Sequence, residues 1–218
     1  MQKEELCDMQ KKKILIAAHF MHPGGVERAL LGLLQGIDHS RYEVFLFLFR
    51  HEGALLSFLP EEVTLLPQIA SYAQLACPFC SVLRKGYVRL AFARIRGRLA
   101  ADHYRRRYSG DCSQVELTCS HRYTRRWMPQ ITPDVEYDLA ISFLTPHYFV
   151  AEKVRAKTKA AWVHTDYSSV QTEDAEEMMW DAYDRIAAVS ESCRQALIRR
   201  FPGLEEKTEC VENLLPAD

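Results

Sequence analysis

The sequence has no long apolar run and no recognisable targeting segment. Its most apolar stretches, such as VFLFLF at residues 44–49, are far too short to cross a bilayer. The first residues, MQKEELCDMQKKK, mix acids with bases and do not contain the apolar core of a signal peptide. We therefore expect a cytoplasmic protein.

The chain also lacks the cysteine pattern of a secreted, disulfide-rich protein, because its seven cysteines are odd in number and scattered. One C-x-x-C stretch, Cys77-Pro78-Phe79-Cys80, could form a zinc site with Cys112, Cys119 and His121. However, the second cysteine pair has six residues between its members, which is not the spacing of a zinc ribbon. The C-x-x-C also does not open a helix after a strand, as a redox motif would. We expect free thiols and no metal.

A strong net charge is absent as well. The formal net charge is -1, so the chain as a whole shows no preference for polyanions. The average hides an asymmetry, because residues 79–127 contain 12 Lys and Arg against 3 Asp and Glu, whereas residues 167–218 contain 5 against 12. Such a division can mark a surface that meets an anionic partner.

What the sequence does contain is an alternation of apolar strands with amphipathic helices. This order predicts an α/β fold with a mostly parallel, Rossmann-like sheet and helices on both of its faces. The predicted strands are Lys13–His19, Tyr42–Phe49, Val63–Leu66, Tyr137–Leu144, Lys159–His164, Arg185–Val189 and Thr208–Leu214. The predicted helices are VERALLGLLQGI after the first strand, with Val26, Leu30, Leu33, Leu34 and Ile37 on one face, then a short helix within residues 51–62, PHYFVAEKVRA, Glu173–Tyr183 and Ser190–Phe201.

The region from about residue 71 to 133 differs from the rest. It is rich in Arg and Tyr, and much of Val82–Tyr108 has the pattern of a helix in which apolar and basic residues are interleaved. We predict a basic helical insertion between two halves of the sheet, within a single domain that spans the chain.

The loop after the first strand, HFMHPGGVERAL at residues 19–30, has neither the G-x-G-x-x-G fingerprint nor a P-loop. Glu52 is only a weak candidate for the acid that NAD binding prefers, so NAD is disfavoured. Gly24 and Gly25 nevertheless precede a predicted helix N-terminus, where unpaired N–H groups accept a phosphate. The alternative is a plain turn whose glycines need positive φ.

Three separated stretches resemble family 4 glycosyltransferases of the GT-B fold. HPGGVERAL is similar to the family's GG-x-E-R loop, and KAAWVHTDYS to the strand and loop that carry a histidine facing the donor sugar. RIAAVSESCRQAL and the closing VENLLPAD resemble the last helix of the first domain and the hinge to the second. The nearest relatives would be bacterial enzymes of capsule, exopolysaccharide or lipopolysaccharide assembly.

The resemblance implies an N-terminal, acceptor-side domain that ends at a hinge at about residues 213–218. The second domain, which holds most nucleotide-sugar contacts, would be missing, so we expect this part alone to be inactive or nearly so. The resemblance implies retaining transfer of a hexose-like sugar from a nucleotide-diphosphate sugar to a saccharide or lipid-linked acceptor, with no cofactor.

By the same resemblance, His164 would orient the sugar, although a histidine that merely caps a strand end is the plainer alternative. Gly24 and Gly25 would hold the donor phosphate. Because ligands bind at the carboxyl ends of parallel strands, we expect further acceptor or cleft-lining residues there. These are His22, Glu27, Thr145, His147, Asp166 and Ser190.

The basic amphipathic insertion predicts a peripheral contact with an anionic membrane. The resemblance agrees with this, because the acceptors of such enzymes are often lipid-linked diphosphates at the inner leaflet. The alternatives are a solvated basic face or pairing with the acidic C-terminal third. No nucleic-acid recognition motif is present, so we expect no nucleic-acid partner. The competing function is a non-catalytic binding or membrane-docking module on the same fold.

Overall fold

A computed structural model of the chain describes residues 11–108, 112–168 and 176–216. Seven strands form one sheet, and every neighbouring pair runs parallel in the order β3-β2-β1-β4-β5-β6-β7. The strands are β1 (Lys12–Ala18), β2 (Tyr42–Leu48), β3 (Thr64–Leu65), β4 (Tyr137–Ser142), β5 (Ala156–Val163), β6 (Arg185–Ala188) and β7 (Thr208–Cys210).

The helices cover both faces of this sheet, which confirms the predicted α/β, Rossmann-like class. On one face, Ile14, Ile16 and Ala18 of β1 pack against the first helix. On the other face, Leu15 and Ala17 pack against the insertion and the later helices. The helices are α1 (Gly25–Gly36), α2 (Ala70–Ala73), α3 (Phe79–Arg84), α4 (Val88–Arg105), α5 (Ser113–Thr124), α6 (Tyr148–Lys153), α7 (Glu177–Trp180) and α8 (Glu191–Arg200).

The strand order places a switch point between β1 and β4. From β1 the chain moves outward to β2 and β3, crosses back through the insertion, and continues from β4 in the opposite direction. Residues 14–17 of β1 therefore pair with β2 on one side and with β4 on the other. Such a switch point opens a crevice at the carboxyl edge of a parallel sheet.

The apolar face predicted for α1 is confirmed, since all five of its predicted residues belong to one core cluster. The basic insertion is helical as predicted, but it is not one long helix. Gly86 has a φ of 82°, a left-handed conformation that favours glycine, and it separates α3 from α4. The insertion also contains α5, which the apolar pattern did not predict.

Several predicted boundaries need correction. The last strand ends at Cys210 rather than Leu214, because the following residues leave the sheet and Leu214 lies against Gly32 of α1. The short helix predicted within residues 51–62 is present as a 3-10 helix at Ala54–Phe58. The predicted acidic helix is represented by α7 alone, and its first part lies outside the described residues. Within the described ranges, no helix is both long and apolar enough to cross a membrane.

Candidate functional site

An open cleft of about 390 Å³ lies at the carboxyl edge of β1, β4 and β5, beside the switch point. It is built from segments far apart in the sequence, which the parallel sheet brings together because all its strands end at the same edge. The cleft is lined by His19, Val26, Glu27, Gln114, Leu117, Phe143, Thr145, His164, Thr165 and Asp166.

The N-terminus of α1 forms one wall of this cleft. The first helical hydrogen bond runs from the Arg28 N–H to the Gly24 carbonyl, so the N–H groups of residues 25–27 have no partner within the helix. Gly24 is extended, with φ of -154°, and Gly25 is not among the positive-φ residues. The alternative of a turn that needs positive φ is therefore wrong. A Cβ on Gly25 would meet no atom within 4 Å, so this glycine borders open space.

The side chain of Glu27 folds back over this helix N-terminus. A Cβ on Gly24 would collide with the Glu27 carboxylate, which shows how closely the two residues approach. A carboxylate in the first turn of a helix stabilises the helix dipole. The position that would attract a phosphate thus already has a negative charge beside it, and a phosphate would have to displace the flexible Glu27 side chain.

His164 follows β5 and contributes its ring to the cleft. The ring packs against Phe143 of the β4 edge, with 5.1 Å between the ring centroids. Burial lowers the pKa of His164 to about 4, so the imidazole is neutral at pH 7. Its Nε2 atom is buried and has no hydrogen-bond partner in the described part of the chain. A buried polar atom without a hydrogen-bond partner costs about 1–3 kcal/mol of stability. Such atoms are found at sites where a ligand or a water supplies the missing hydrogen bond.

Asp166 lies two residues further along the same loop and is exposed. Its Oδ1 accepts hydrogen bonds from the Ser168 hydroxyl at 2.7 Å and from the Ser168 N–H at 2.9 Å. The Ser168 side chain, followed by the Ser168 backbone, lowers the pKa of Asp166. The cleft therefore has an ionised carboxylate on this side.

His19 and Thr145 join the two strands of the switch point. The Nε2 of His19 lies 3.4 Å from the Thr145 carbonyl oxygen, and both residues line the cleft. Burial lowers the pKa of His19, so this ring is also neutral near pH 7. The expectation that Thr145 faces the cleft agrees with this geometry.

Three residues predicted for the cleft lie elsewhere. His147 is buried beneath the cleft, where its ring lies 2.9 Å from the Ser142 hydroxyl and packs on Trp180. His22 is exposed and faces Glu52, with 3.4 Å between Nε2 and Oε1. The Ser190 hydroxyl caps α8 by accepting from the Cys193 N–H at 3.2 Å. His147 is the clearest correction, since a side chain only 1% exposed cannot line an open cleft.

The insertion supplies part of the cleft, which the sequence did not predict. Gln114 and Leu117 of α5 line it opposite the loop of His164. The Gln114 Oε1 atom is buried without a partner among the described residues, as is Nε2 of His164. No motif marks Gln114 or Leu117, and only the packing of α5 places them here.

The cleft has carboxylates but little positive charge. The described lining includes Glu27 and Asp166 and neither Lys nor Arg. Across the described ranges, no group of His, Cys, Asp and Glu has the arrangement of a metal site. The predicted zinc candidates are separate, since Cys80 is exposed whereas Cys112 and Cys119 are buried beside α4. The positive end of α1 is therefore the main attraction for an anion here.

No protein-family model matches the chain, and no curated protein sequence matches it. The solved structures with a similar fold include the following two. One is Anabaena Alr3699/HepE in complex with UDP, at 15% identity and a TM-score of 0.47. The other is the lipopolysaccharide outer core galactosyltransferase WaaB in its apo form, at 13% identity and a TM-score of 0.49. Each match covers 93% of this chain but only 44% and 45% of the respective neighbour, so the chain spans less than half their length. These values indicate a similar fold and do not identify the chemistry of the cleft.

Proposed function

We propose that this chain is the acceptor-side part of a glycosyltransferase that uses a nucleotide-diphosphate sugar. The proposal rests on one observation, which is that two separate sequence motifs line one cleft. HPGGVERAL and KAAWVHTDYS, which resemble separate motifs of one glycosyltransferase family, lie more than a hundred residues apart and line the same cleft. The loops that follow the strands of a parallel sheet all lie at one edge. The support is therefore that the two stretches which resemble one family border a single cleft within that edge.

In this proposal different groups of the cleft bind different parts of the nucleotide-diphosphate sugar. The N–H groups at the start of α1 face the diphosphate, because they attract an anion. The neutral ring of His164 orients the sugar by a hydrogen bond, since its lowered pKa keeps it uncharged at pH 7. The ionised carboxylate of Asp166 accepts hydrogen bonds from sugar hydroxyls. It repels phosphate, so it faces the sugar and not the diphosphate. Retention, a hexose donor and a saccharide or lipid-linked acceptor in surface polysaccharide synthesis belong to the same proposal.

The scarcity of positive charge in the cleft bears on activity. A diphosphate normally needs several cationic or N–H donors, and this cleft offers a helix terminus beside two carboxylates. We infer that the chain by itself binds the donor weakly and does not transfer sugar, and that a second domain supplies the missing contacts. A location at the cytoplasmic face of a membrane follows from a lipid-linked acceptor.

The test is a titration of the 218-residue chain with nucleotide-diphosphate sugars, in which NMR measures the chemical-shift changes of the protein. We expect weak, saturable shifts confined to His164 and the first turn of α1. Gly25→Val fills the open space beside Gly25 and should abolish the shifts. Gly203→Val is the matched control, since a Cβ there also meets no atom within 4 Å but lies away from the cleft. Shifts absent with every donor, or unchanged by Gly25→Val, would refute the proposal.

A further inference from the structure

Helix α4 has two apolar faces, and only one of them is packed. The packed face is closely fitted, because a Cβ on Gly97 would lie 2.9 Å from the Cys119 carbonyl oxygen of α5. On the opposite face, apolar side chains recur at intervals of four, three and four residues. The packed face comprises Leu90, Ala91, Ala93, Gly97 and Ala101, and the opposite face Val88, Phe92, Ile95 and Leu99.

The second face is exposed, although a helix that faces only water has polar side chains there. Phe92 is 60% exposed and Leu99 63%. Helix α3 extends the surface, because Phe79 and Leu83 are also exposed and Phe79 lines the same cavity as Ile95. We call this set, Phe79, Leu83, Val88, Phe92, Ile95 and Leu99, the α3–α4 surface. Large apolar side chains exposed together in this way are typical of an interaction site.

Basic side chains surround the α3–α4 surface. Arg89 and Arg96 lie along one side of it, with their guanidinium groups 5.2 Å and 5.6 Å from the rings of Trp127 and Tyr123. None of the surrounding basic residues forms a salt bridge with a carboxylate of the described chain, including its acidic C-terminal part. They are Arg84, Lys85, Arg89, Arg96 and Arg98.

We propose that the α3–α4 surface docks on an anionic lipid membrane. An apolar stripe flanked by cations fits the boundary between acyl chains and phosphate headgroups, where each kind of side chain meets its preferred surroundings. Nucleic acid would leave the Phe92–Leu99 stripe exposed to water, and an acidic protein would need a matching apolar groove. The docking does not depend on the sugar chemistry. Helix α5 connects this surface to the cleft, because it packs on α4 and also lines the cleft. A chain docked through α4 therefore holds the cleft close to the membrane.

The test is flotation of the 218-residue chain with vesicles of phosphatidylcholine alone or mixed with phosphatidylglycerol, at low and high salt. We expect binding only to the mixed vesicles, weakened by salt. Arg89→Glu with Arg96→Glu should weaken it at least about thirtyfold, since each basic residue near the surface contributes roughly 1 kcal/mol. Phe92→Ser with Leu99→Ser should weaken it at both salt concentrations.

Matched controls separate docking from general effects of charge and apolarity. Lys11→Glu with Lys12→Glu makes the same charge change at the opposite, amino edge of the sheet, and both residues are exposed. Phe58→Ser with Met178→Ser removes two other exposed apolar side chains, at 62% and 77% exposure. Both control pairs should bind vesicles like the original chain.

Three outcomes would overturn the proposal. One is binding that is indifferent to phosphatidylglycerol and salt, and another is equal loss in the control pairs. The third is no vesicle binding together with a dimer that Phe92→Ser and Leu99→Ser dissociate in light scattering, which would assign the surface to a second copy. Circular dichroism verifies that each variant is folded. If the variant with Phe92→Ser and Leu99→Ser is not folded, the charge-reversal pair still tests the docking, because Arg89 and Arg96 are exposed and their replacement does not disturb the core.

Discussion

Lowering the pH from 7 to 5 should destabilise this chain, and His147 should account for a defined part of the loss. Its ring is 1% exposed, and burial, followed by the nearby His164, lowers its pKa to about 3. An unfolded histidine has a pKa of about 6.5. The unfolded chain therefore takes up a proton as the pH falls through about 6.5, whereas the folded chain does not until about pH 3. The stabilising contribution is fully present above pH 6.5 and is lost progressively below it.

The size of the effect follows from these two pKa values. Between pH 7 and pH 5, His147 alone should lower the free energy of unfolding by about 1.9 kcal/mol. His19 and His121 act in the same direction, since burial lowers both of their pKa values. Acids such as Asp138, whose pKa is lowered by Lys157, take up protons mainly below pH 5 and contribute little to this loss. A domain of ordinary stability has about 5–15 kcal/mol, so the combined loss should be large.

Urea unfolding at pH 7, 6 and 5 measures the effect. His147→Asn, which retains a polar group for Ser142, should destabilise the chain at pH 7 but reduce the loss between pH 7 and 5 by about 1.9 kcal/mol. His51→Gln is the control, because this side chain is exposed and its replacement should leave the pH dependence unchanged. If His147→Asn keeps the full loss, burial of a neutral His147 is not its cause.

Three further predictions concern single side chains. Ser190→Ala should cost about 1 kcal/mol of unfolding free energy by removing the cap of α8, while leaving nucleotide-sugar binding unchanged; impaired binding would return Ser190 to the cleft. Gly32→Ala should displace the segment around Leu214, whose carbonyl oxygen occupies the space of the new Cβ, and faster proteolysis there would reveal it; unchanged cleavage would contradict this contact. Glu27→Gln should tighten the binding of nucleotide-diphosphate sugars a few-fold, because the helix N-terminus loses a competing charge, and weaker binding in calorimetry would show that the carboxylate contacts the ligand.

The strands and the cleft edge were predictable from local patterns. The continuous apolar run ILIAA at residues 14–18 is typical of a strand that is covered on both faces, and β1 is indeed central. The position of Gly24 and Gly25 between a strand and a helix was sufficient to place them beside a crevice. His164 and Asp166 follow a strand by the same logic.

The misplaced residues share a physical cause. The strand-end rule locates the backbone of His147 but not the direction of its side chain, which turns inward because Ser142 and Trp180 provide a polar and an aromatic partner there. Ser190 stands at a strand end too, yet the adjacent helix uses its hydroxyl as a cap. Such competition between local partners is not visible in a pattern of residue types.

The sequence by itself determined the α/β class, the parallel sheet and the basic insertion, because periodicity, turn residues and charge act over a few neighbouring positions. Only the tertiary structure decided that α5 lines the cleft and that α4 leaves an apolar face exposed. The physical reason is that both depend on how α4 and α5 pack on each other and on the sheet. Gly97 packs against Cys119, and Leu117 lines the same cleft as His164, although the spacing of these residues along the chain has no period.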